Sequence, residues 1–257
     1  MNHKFLFTIA KYSVLEAVRD RFLIFILAGV SIILLMSLFA GQLAITEGRV
    51  IQASVSGSFL RLFSVFTASL FVITSMLREF NDKGFELILS HPVPRVSYYF
   101  GKLIGYSAIV MLIVLMCALC VVGFSSPAAV LAWSFSLFCD LLIIISFMLF
   151  CLFSFNSITI SFSVVVAFYI LARSIEAILL ISQSPILALG SDSHRFIQGL
   201  LESIAYVIPD FDAFTRSDWL VYAIPGKEEL FLIAGQTLIY IILLAAAALF
   251  DLYRKEL

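Results

Sequence analysis

Three ionisable residues lie inside apolar stretches of the chain, where charged side chains are least expected. Asp140 lies in one such stretch, and Arg173 and Glu176 lie three positions apart in the next. A spacing of three residues places Arg173 and Glu176 on one face of a helix. Because an ionisable group at the centre of a membrane costs at least ~2.5–3.5 kcal/mol, each should face protein or water. Arg173 could pair with Glu176 or with Asp140, or the three could line a substrate path.

Two of the four cysteines have the spacing of a metal or redox motif. Cys117 and Cys120 form a CxxC pair within a strongly apolar run. The adjoining apolar sequence contains no histidine, aspartate or second CxxC that would complete a zinc or redox site. We therefore expect the cysteines to serve as helix-packing residues.

A second set of possible metal ligands lies in the polar sequence before the last apolar stretch. It consists of Asp192, His194, Asp210 and Asp212. These residues lack a recognised ligand spacing, and aspartates near a proline commonly make turn hydrogen bonds instead. The sequence therefore predicts that the chain itself binds no metal and no other cofactor.

The composition indicates what surrounds these residues. The chain has 257 residues, of which 62% are hydrophobic and 13% charged, and its mean hydropathy is +1.10. A soluble domain carries about 25% charged residues, so this chain lacks the charge to cover a surface in water. Its net charge of −1 provides no basic field for nucleic acid. We predict a membrane protein that does not bind nucleic acid.

No common catalytic motif occurs in the sequence. GxxxxGK[ST], HExxH, GxSxG and GxGxxG are all absent, so the chain has no recognised loop for binding and hydrolysing ATP. An intramembrane enzyme would need His, Asp or Ser side chains clustered at one depth, and none is evident. We expect a protein without enzymatic activity, whose energy comes from a partner or an ion gradient.

Six apolar stretches approach or reach the roughly 20 residues that a helix needs to cross a membrane. They comprise residues 22–40, 59–76, 99–124, 130–155, 157–181 and 230–250. The predicted fold is an all-α membrane protein with six transmembrane helices. If both termini lie in the cytoplasm, ten basic residues face inward and five, including Arg61, face outward. The positive-inside rule favours this orientation, in a bacterial cytoplasmic (inner) membrane.

Two segments outside these spans have helical patterns of their own. In residues 1–20, Phe5, Ile9, Tyr12 and Leu15 lie near one face, which is typical of an amphipathic helix in the membrane interface. The alternative is an ordinary basic flank to the first span. Residues 185–229 form a predicted external insert, in which helical periodicity over residues 196–207 stops before a proline.

Residues 78–98 form a cytoplasmic segment that is too charged to span the membrane and too apolar for a bare linker. Phe85–Ser90 can form a short helix, because Pro92 and Pro94 each remove a backbone donor and restrict the preceding residue. The segment is a plausible docking surface for a soluble partner.

Residues 78–105, which read REFNDKGFELILSHPVPRVSYYFGKLIG, resemble the loop between the second and third spans of type-2 ABC transporter permeases. Phe85 departs from the small hydroxyl residue that many members have at this position. Residues 206–225 resemble the external stretch of the permease subgroup linked to copper-enzyme maturation and gliding motility. The matching loop positions are Glu79, Gly84, Leu87, Leu89, Pro92, Arg95, Gly101 and Lys102.

This resemblance implies a permease subunit of an ABC exporter, with a cytoplasmic coupling helix that docks on a separate ATPase. It further implies two ATPase subunits that bind ATP and Mg, and a second permease copy, with a homodimer expected. An external or periplasmic partner is also possible. The implied ATPase-coupling residues are Glu79, Gly84, Phe85, Glu86, Leu87, Leu89, Pro92 and Arg95.

Two other classes of protein compete with this interpretation. An ion-coupled secondary transporter would usually show an inverted repeat, spans broken by Gly or Pro and several midplane carboxylates, and these features are not visible. An intramembrane enzyme lacks its cluster of reactive side chains. The substrate stays open: a drug, lipid, polysaccharide, peptide or purely mechanical coupling all fit the sequence.

Overall fold

The structure is a computed structural model that describes residues 3–43, 47–81, 94–155, 157–182, 192–222 and 224–254. These residues form helices joined by short turns, and no strand occurs among them. The helices are α1 (His3–Arg19), α2 (Phe22–Leu43), α3 (Gly48–Asn81), α4 (Arg95–Val121), α5 (Pro127–Ser154), α6 (Ile158–Ser182), α7 (Asp192–Val207), α8 (Asp218–Val221) and α9 (Lys227–Arg254).

Six helices within the described ranges are long and apolar enough to cross a membrane, namely α2, α3, α4, α5, residues 158–175 of α6, and α9. The prediction of an all-α fold with six spans is therefore confirmed. The helix α3 begins at Gly48, earlier than the apolar stretch at residues 59–76 suggests. Arg61 consequently lies inside a long helix, several turns from its start.

The central helix of the bundle is α5, which packs against α3, α4, α6, α8 and α9. Its buried side chains are large and apolar and include Trp133, Leu137, Ile144 and Leu149. Close packing of such side chains supplies most of the contact energy between helices in a membrane, where lipid tails are equally apolar. By contrast, α2 packs mainly against α3 and leaves many large side chains at the surface.

The helix α1 packs against α4 through a face of small residues. A Cβ atom at Gly101 would lie 2.9 Å from Ile9 Cβ, and one at Gly105 would lie 2.8 Å from Ser13 Cβ. Side chains larger than hydrogen would therefore push the two helices apart. The GxxxG spacing that starts α4 thus serves helix packing, and its partner is the N-terminal helix.

Most of the predicted apolar face of α1 points away from this contact, although Ile9 of that face packs against Gly101. Phe5, Tyr12 and Leu15 are 42%, 67% and 50% exposed, whereas Ser13 and Ala10 are buried against α4. The helix therefore has two distinct faces: small residues pack against the bundle, and large apolar residues are exposed on the surface of the molecule. The sequence pattern alone indicated the second face only.

Residues 209–217, hereafter the buried turn, run back into the bundle between α3, α5 and α6. Phe211, Phe214 and Thr215 are fully buried, and Thr215 has a φ of 48°, in the left-handed region. This conformation is uncommon for a residue with a branched side chain, so the surrounding contacts must hold it. This part of the predicted external insert is thus buried among the helices of the bundle.

Candidate functional site

The predicted coupling residues divide between described and undescribed parts of the chain. Glu79 lies in the last turns of α3, and Arg95 begins α4. The remaining predicted positions, Gly84, Phe85, Glu86, Leu87, Leu89 and Pro92, lie outside the described residues. The structure therefore describes how the segment is anchored at its two ends.

Glu79 is held in the bundle by two side chains of α4. Its carboxylate forms an ion pair with Lys102, and Tyr98 Oη donates a hydrogen bond of 2.8 Å to Glu79 Oε1. The Lys102 side chain is 8% exposed and that of Glu79 is 12% exposed. A buried charge is tolerated when it is paired and hydrogen-bonded, and this pair meets both conditions.

A second set of hydrogen bonds continues from this pair to α1. Tyr106 Oη donates to Ser75 Oγ at 3.1 Å, and Ser75 Oγ donates to Glu16 Oε2 at 2.7 Å. Charged and hydroxyl groups from α1, α3 and α4 thus meet at one end of the bundle. The Glu79–Lys102 network, as named here, consists of Glu16, Ser75, Glu79, Tyr98, Lys102 and Tyr106.

Arg95 anchors the other end of the undescribed segment to a different helix. Its Nη1 donates to the backbone carbonyl of Leu252 in α9, and its guanidinium lies 5.7 Å from the Tyr253 ring centroid. The last carbonyls of a helix lack partners within the helix, so a nearby arginine satisfies them and stabilises the helix end. Glu79 and Arg95 therefore both have structural partners within the bundle.

Two cavities open at opposite ends of the molecule. One of about 830 Å³ lies between α1, α3 and α4, and its wall includes Glu16, Ser75 and Lys102 of the Glu79–Lys102 network. The other, of about 460 Å³, lies where α4, α5 and α8 meet, and its lining includes Arg49 and Trp219. The first has predominantly apolar walls with charged groups at its base.

Arg173 makes contacts that neither predicted pairing anticipated. Its Nη1 donates to the backbone carbonyls of Phe211 and of Phe214, the latter at 2.9 Å. Its Nε lies 3.8 Å from the Asp212 carboxylate. The side chain of Glu176 lies outside the described part of the structure. Arg173 therefore holds the buried turn, using carbonyl oxygens as its main acceptors.

Arg61 holds the same turn from the opposite side, a role that the sequence did not indicate. Arg61 Nη1 donates to the carbonyl of Thr215 at 3.1 Å, and Thr215 N–H donates to Ser136 Oγ at 2.9 Å. Arg61 and Arg173 come from α3 and α6 and are together called the arginine clamp. Ser136 lies nine positions into α5, so the turn reaches about 14 Å down that helix.

Asp140 lies one helical turn beyond Ser136 and is completely buried. Among the described residues, no group donates a hydrogen bond to either of its carboxylate oxygens. Arg173 and Arg61 are the cations that act on its charge. The structure thus brings Asp140 close to the arginine clamp without pairing it.

The remaining candidates behave as packing and turn residues. Cys117 is buried and lies 3.2 Å from Ser64 Oγ. The Asp210 carboxylate accepts the backbone N–H of Ala213 at 3.3 Å, which is the kind of turn hydrogen bond that its position near a proline indicates. The side chains of Asp192 and His194 lie outside the described part of the structure.

The comparison with known proteins agrees with this architecture. Residues 7–182 match a family model described as ABC-2 family transporter protein. Among curated proteins, none matches the chain. The matched region covers most of α1 and all of α2 to α6, including both arginines of the clamp and the whole Glu79–Lys102 network. Because the match covers more than half of the chain, this protein belongs to the ABC-2 transporter family and is a multi-pass membrane permease.

Proposed function

We propose that the chain is the permease subunit of an ABC exporter, driven by ATP hydrolysis in a separate cytoplasmic ATPase. Family membership supports this proposal and implies an ATPase partner in general. The coupling proposal rests on one observation: side chains at both ends of residues 82–93 bind the bundle, Glu79 through Lys102 and Arg95 through Leu252. A displacement of this segment would act on α3, α4 and α9 together.

The coupling helix in this proposal lies within residues 78–98 and contacts the ATPase. Glu79 and Arg95 anchor it, and the positions between them form the contact surface. The ATPase binds ATP and Mg, while the permease itself binds no cofactor. The proposed contact residues are Gly84, Phe85, Glu86, Leu87, Leu89 and Pro92.

The proposed orientation places the Glu79–Lys102 network at the cytoplasmic end, with both termini inside and the bundle in a bacterial inner membrane. In this orientation α1 lies at the level of the lipid headgroups. The exposed apolar side chains Phe7 and Tyr12, 68% and 67% exposed, support such a location, because an interfacial helix buries its apolar face in the headgroup region.

We further propose that two permease copies assemble with two ATPase subunits. Six spans are few for a pathway within one chain, and a two-fold homodimer would enclose one between its subunits. Residues 185–229, apart from the buried turn, would then face the outside, where they could contact an external partner. The resemblance of residues 206–225 to the copper-enzyme and gliding-motility subgroup belongs to this proposal as well.

Asp140, Arg173 and Glu176 are proposed as structural groups rather than as the lining of a substrate path. The contacts of Arg173 with Phe211 and Phe214 support this, because they occupy its guanidinium with protein acceptors. An ion-coupled secondary transporter remains the alternative, and family membership does not favour it. The chemical nature of the substrate is open.

The test is co-purification of the tagged chain with an ABC-type ATPase from the same membrane, comparing wild type with Glu86→Ala. Glu228→Ala is the matched control, because Glu228 is an exposed glutamate at the start of α9, away from residues 78–98. We expect wild type and Glu228→Ala to retain the ATPase and Glu86→Ala to lose most of it.

Arg95→Ala tests the anchor separately from the contact surface. The ATPase should still bind this variant, while the stimulation of ATP hydrolysis by the permease should fall. Normal transport by a chain that binds no ATPase would contradict the proposed function. Equal retention of the ATPase by wild type and Glu86→Ala would contradict the assigned docking surface.

A further inference from the structure

In the described arrangement, no hydrogen bond offsets the free-energy cost of burying the Asp140 carboxylate. Its carboxylate is buried in the middle of α5, and no described residue donates a hydrogen bond to it. A buried acceptor without a donor costs free energy, and the cost is larger for a charged group. A second arrangement of its neighbours that supplies donors to the carboxylate would offset this cost.

The charged and titratable groups that act on Asp140 come from two of the helices packed against α5. Arg61 comes from α3, and Tyr169 and Arg173 come from α6. The buried turn adds Asp212, which lies 3.8 Å from Arg173. The cluster thus contains two arginines and two aspartates, whose formal charges sum to zero. The cluster therefore provides partners for its own members and has no surplus charge for a charged ligand.

The arginines donate to backbone carbonyls, which are weaker acceptors than a carboxylate. Arg61 donates to the carbonyl of Thr215 at 3.1 Å, and Arg173 donates to the carbonyl of Phe214 at 2.9 Å. A hydrogen bond between an arginine and a carboxylate is roughly twice as strong as one between neutral groups. Arg61 also has a buried Nε that lacks a partner among the described residues.

Withdrawal of the buried turn would remove three carbonyl acceptors from the two arginines at once. If no other acceptor were present, two cations would be left buried and unpaired, which strongly disfavours the withdrawn state. Asp140 is completely buried, the charges of both arginines act on it, and no described residue binds either of its oxygens. Its position therefore decides how costly withdrawal is.

We propose that the arginine clamp exchanges partners between two states of the permease. In the described state Arg61 and Arg173 hold the buried turn and Asp140 is unpaired. In the second state the turn is withdrawn and both arginines pair with Asp140. The carboxylate lowers the free energy of the withdrawn state, so that the two arrangements form a two-state element within the outer half of the bundle.

Amide hydrogen exchange of the full-length chain in lipid nanodiscs tests this proposal without any ATPase. Asp140→Asn removes the charged acceptor of the withdrawn state. Exchange of the amides of residues 211–217 should slow by about tenfold or more, the effect of losing one hydrogen bond to a charged group. An exchange rate equal to or faster than that of wild type would overturn the proposal, as would uniform slowing in every helix.

Asp251→Asn is the matched control, because Asp251 is a hydrogen-bonded aspartate near the opposite end of the bundle, where it contacts Ser154. It should leave exchange in the buried turn unchanged. If Asp140→Asn proves unstable, Asp140→Glu gives the complementary measurement: its longer side chain reaches the arginines more easily, so exchange should accelerate. Unchanged or slower exchange in that variant would equally overturn the proposal.

A double-mutant cycle identifies the arginines as the partners. Arg61→Gln with Arg173→Gln removes the groups that Asp140 would bind, so adding Asp140→Asn to this background should no longer slow exchange. An undiminished effect would show that Asp140 acts on the turn by another route and would overturn the exchange of partners. The measurement is independent of whether the coupling segment binds an ATPase.

Discussion

The two polar clusters of this permease lie at opposite ends of one helix bundle and satisfy their charges differently. In the Glu79–Lys102 network, acid and base come from neighbouring spans and pair directly. In the arginine clamp, the cations of two spans bind carbonyls of a distant turn, and the nearby Asp140 is unpaired. The first arrangement fixes three helices, whereas the second holds a turn through its backbone carbonyls.

The largest expected effect on stability comes from breaking the ion pair of the Glu79–Lys102 network. Lys102→Met leaves Glu79 buried without its cation, which should lower the free energy of unfolding by about 3–5 kcal/mol. Unfolding in mixed micelles measures the change. The double variant Lys102→Met with Glu79→Gln is the control and should recover much of the loss, because it removes both charges. Wild-type stability of the single variant would contradict the pairing.

Breaking the arginine clamp should have a smaller and more local effect. Arg173→Gln removes the donor to Phe211 and Phe214, at a cost of about 2 kcal/mol, and should expose the sequence around Trp219. Acrylamide quenching of tryptophan fluorescence reports this exposure. Arg216→Gln is the control, since Arg216 is exposed and, among the described residues, donates only to the carbonyl of Asp212. Identical quenching in both variants would refute the holding role of Arg173.

A substitution between α1 and α4 tests whether close packing, as well as charge pairing, stabilises the end of the bundle that contains the Glu79–Lys102 network. Gly105→Ala places a Cβ 2.8 Å from Ser13 Cβ, and overpacking of this kind costs about 1–3 kcal/mol. We expect α1 to become more accessible to protease while the spans stay intact. Gly235→Ala in α9, whose Cβ would meet no atom within 4 Å, should behave as wild type. Equal protease sensitivity of the two would argue against the close contact.

The smallest expected effect concerns a single hydrogen bond of the turn. Ser136→Ala leaves the Thr215 N–H without its acceptor and should lower thermal stability by the equivalent of about 1 kcal/mol. Ser134→Ala on the same helix is a matched control, because the Ser134 hydroxyl has no partner among the described residues. The ranking would be wrong if Ser134→Ala destabilised the protein more than Ser136→Ala.

Hydropathy was sufficient to predict the spans because lipid imposes a strong and local requirement on sequence. It was less informative about where helices begin, since α3 continues to Gly48 through a stretch of mixed polar and apolar residues. For this reason Arg61 was counted with the outer basic residues, although it lies within the helix. The sequence does not predict the role of Arg61, because its partner is the backbone carbonyl of Thr215 and every residue has such a carbonyl.

The same limit applies to the other site residues. The intramembrane position of Arg173 indicates a group that needs a partner, but residue type does not indicate that its acceptors are backbone carbonyls of a turn some 40 positions later. Glu79 and Lys102 were both recognised as motif positions, and their pairing became visible only when α3 and α4 were placed side by side. Sequence identifies which residues need partners, and tertiary structure identifies the partners.

The buried turn also has a consequence for synthesis of the protein. Arg61, Asp140 and Arg173 all precede residue 209, so the ribosome delivers α3, α5 and α6 to the membrane before the turn exists. During that interval the nascent bundle contains two arginines whose final carbonyl acceptors have not been made. Burial of these cations is completed only when residues 211–215 emerge, so the end of the bundle that contains the arginine clamp matures late and from its C-terminal side.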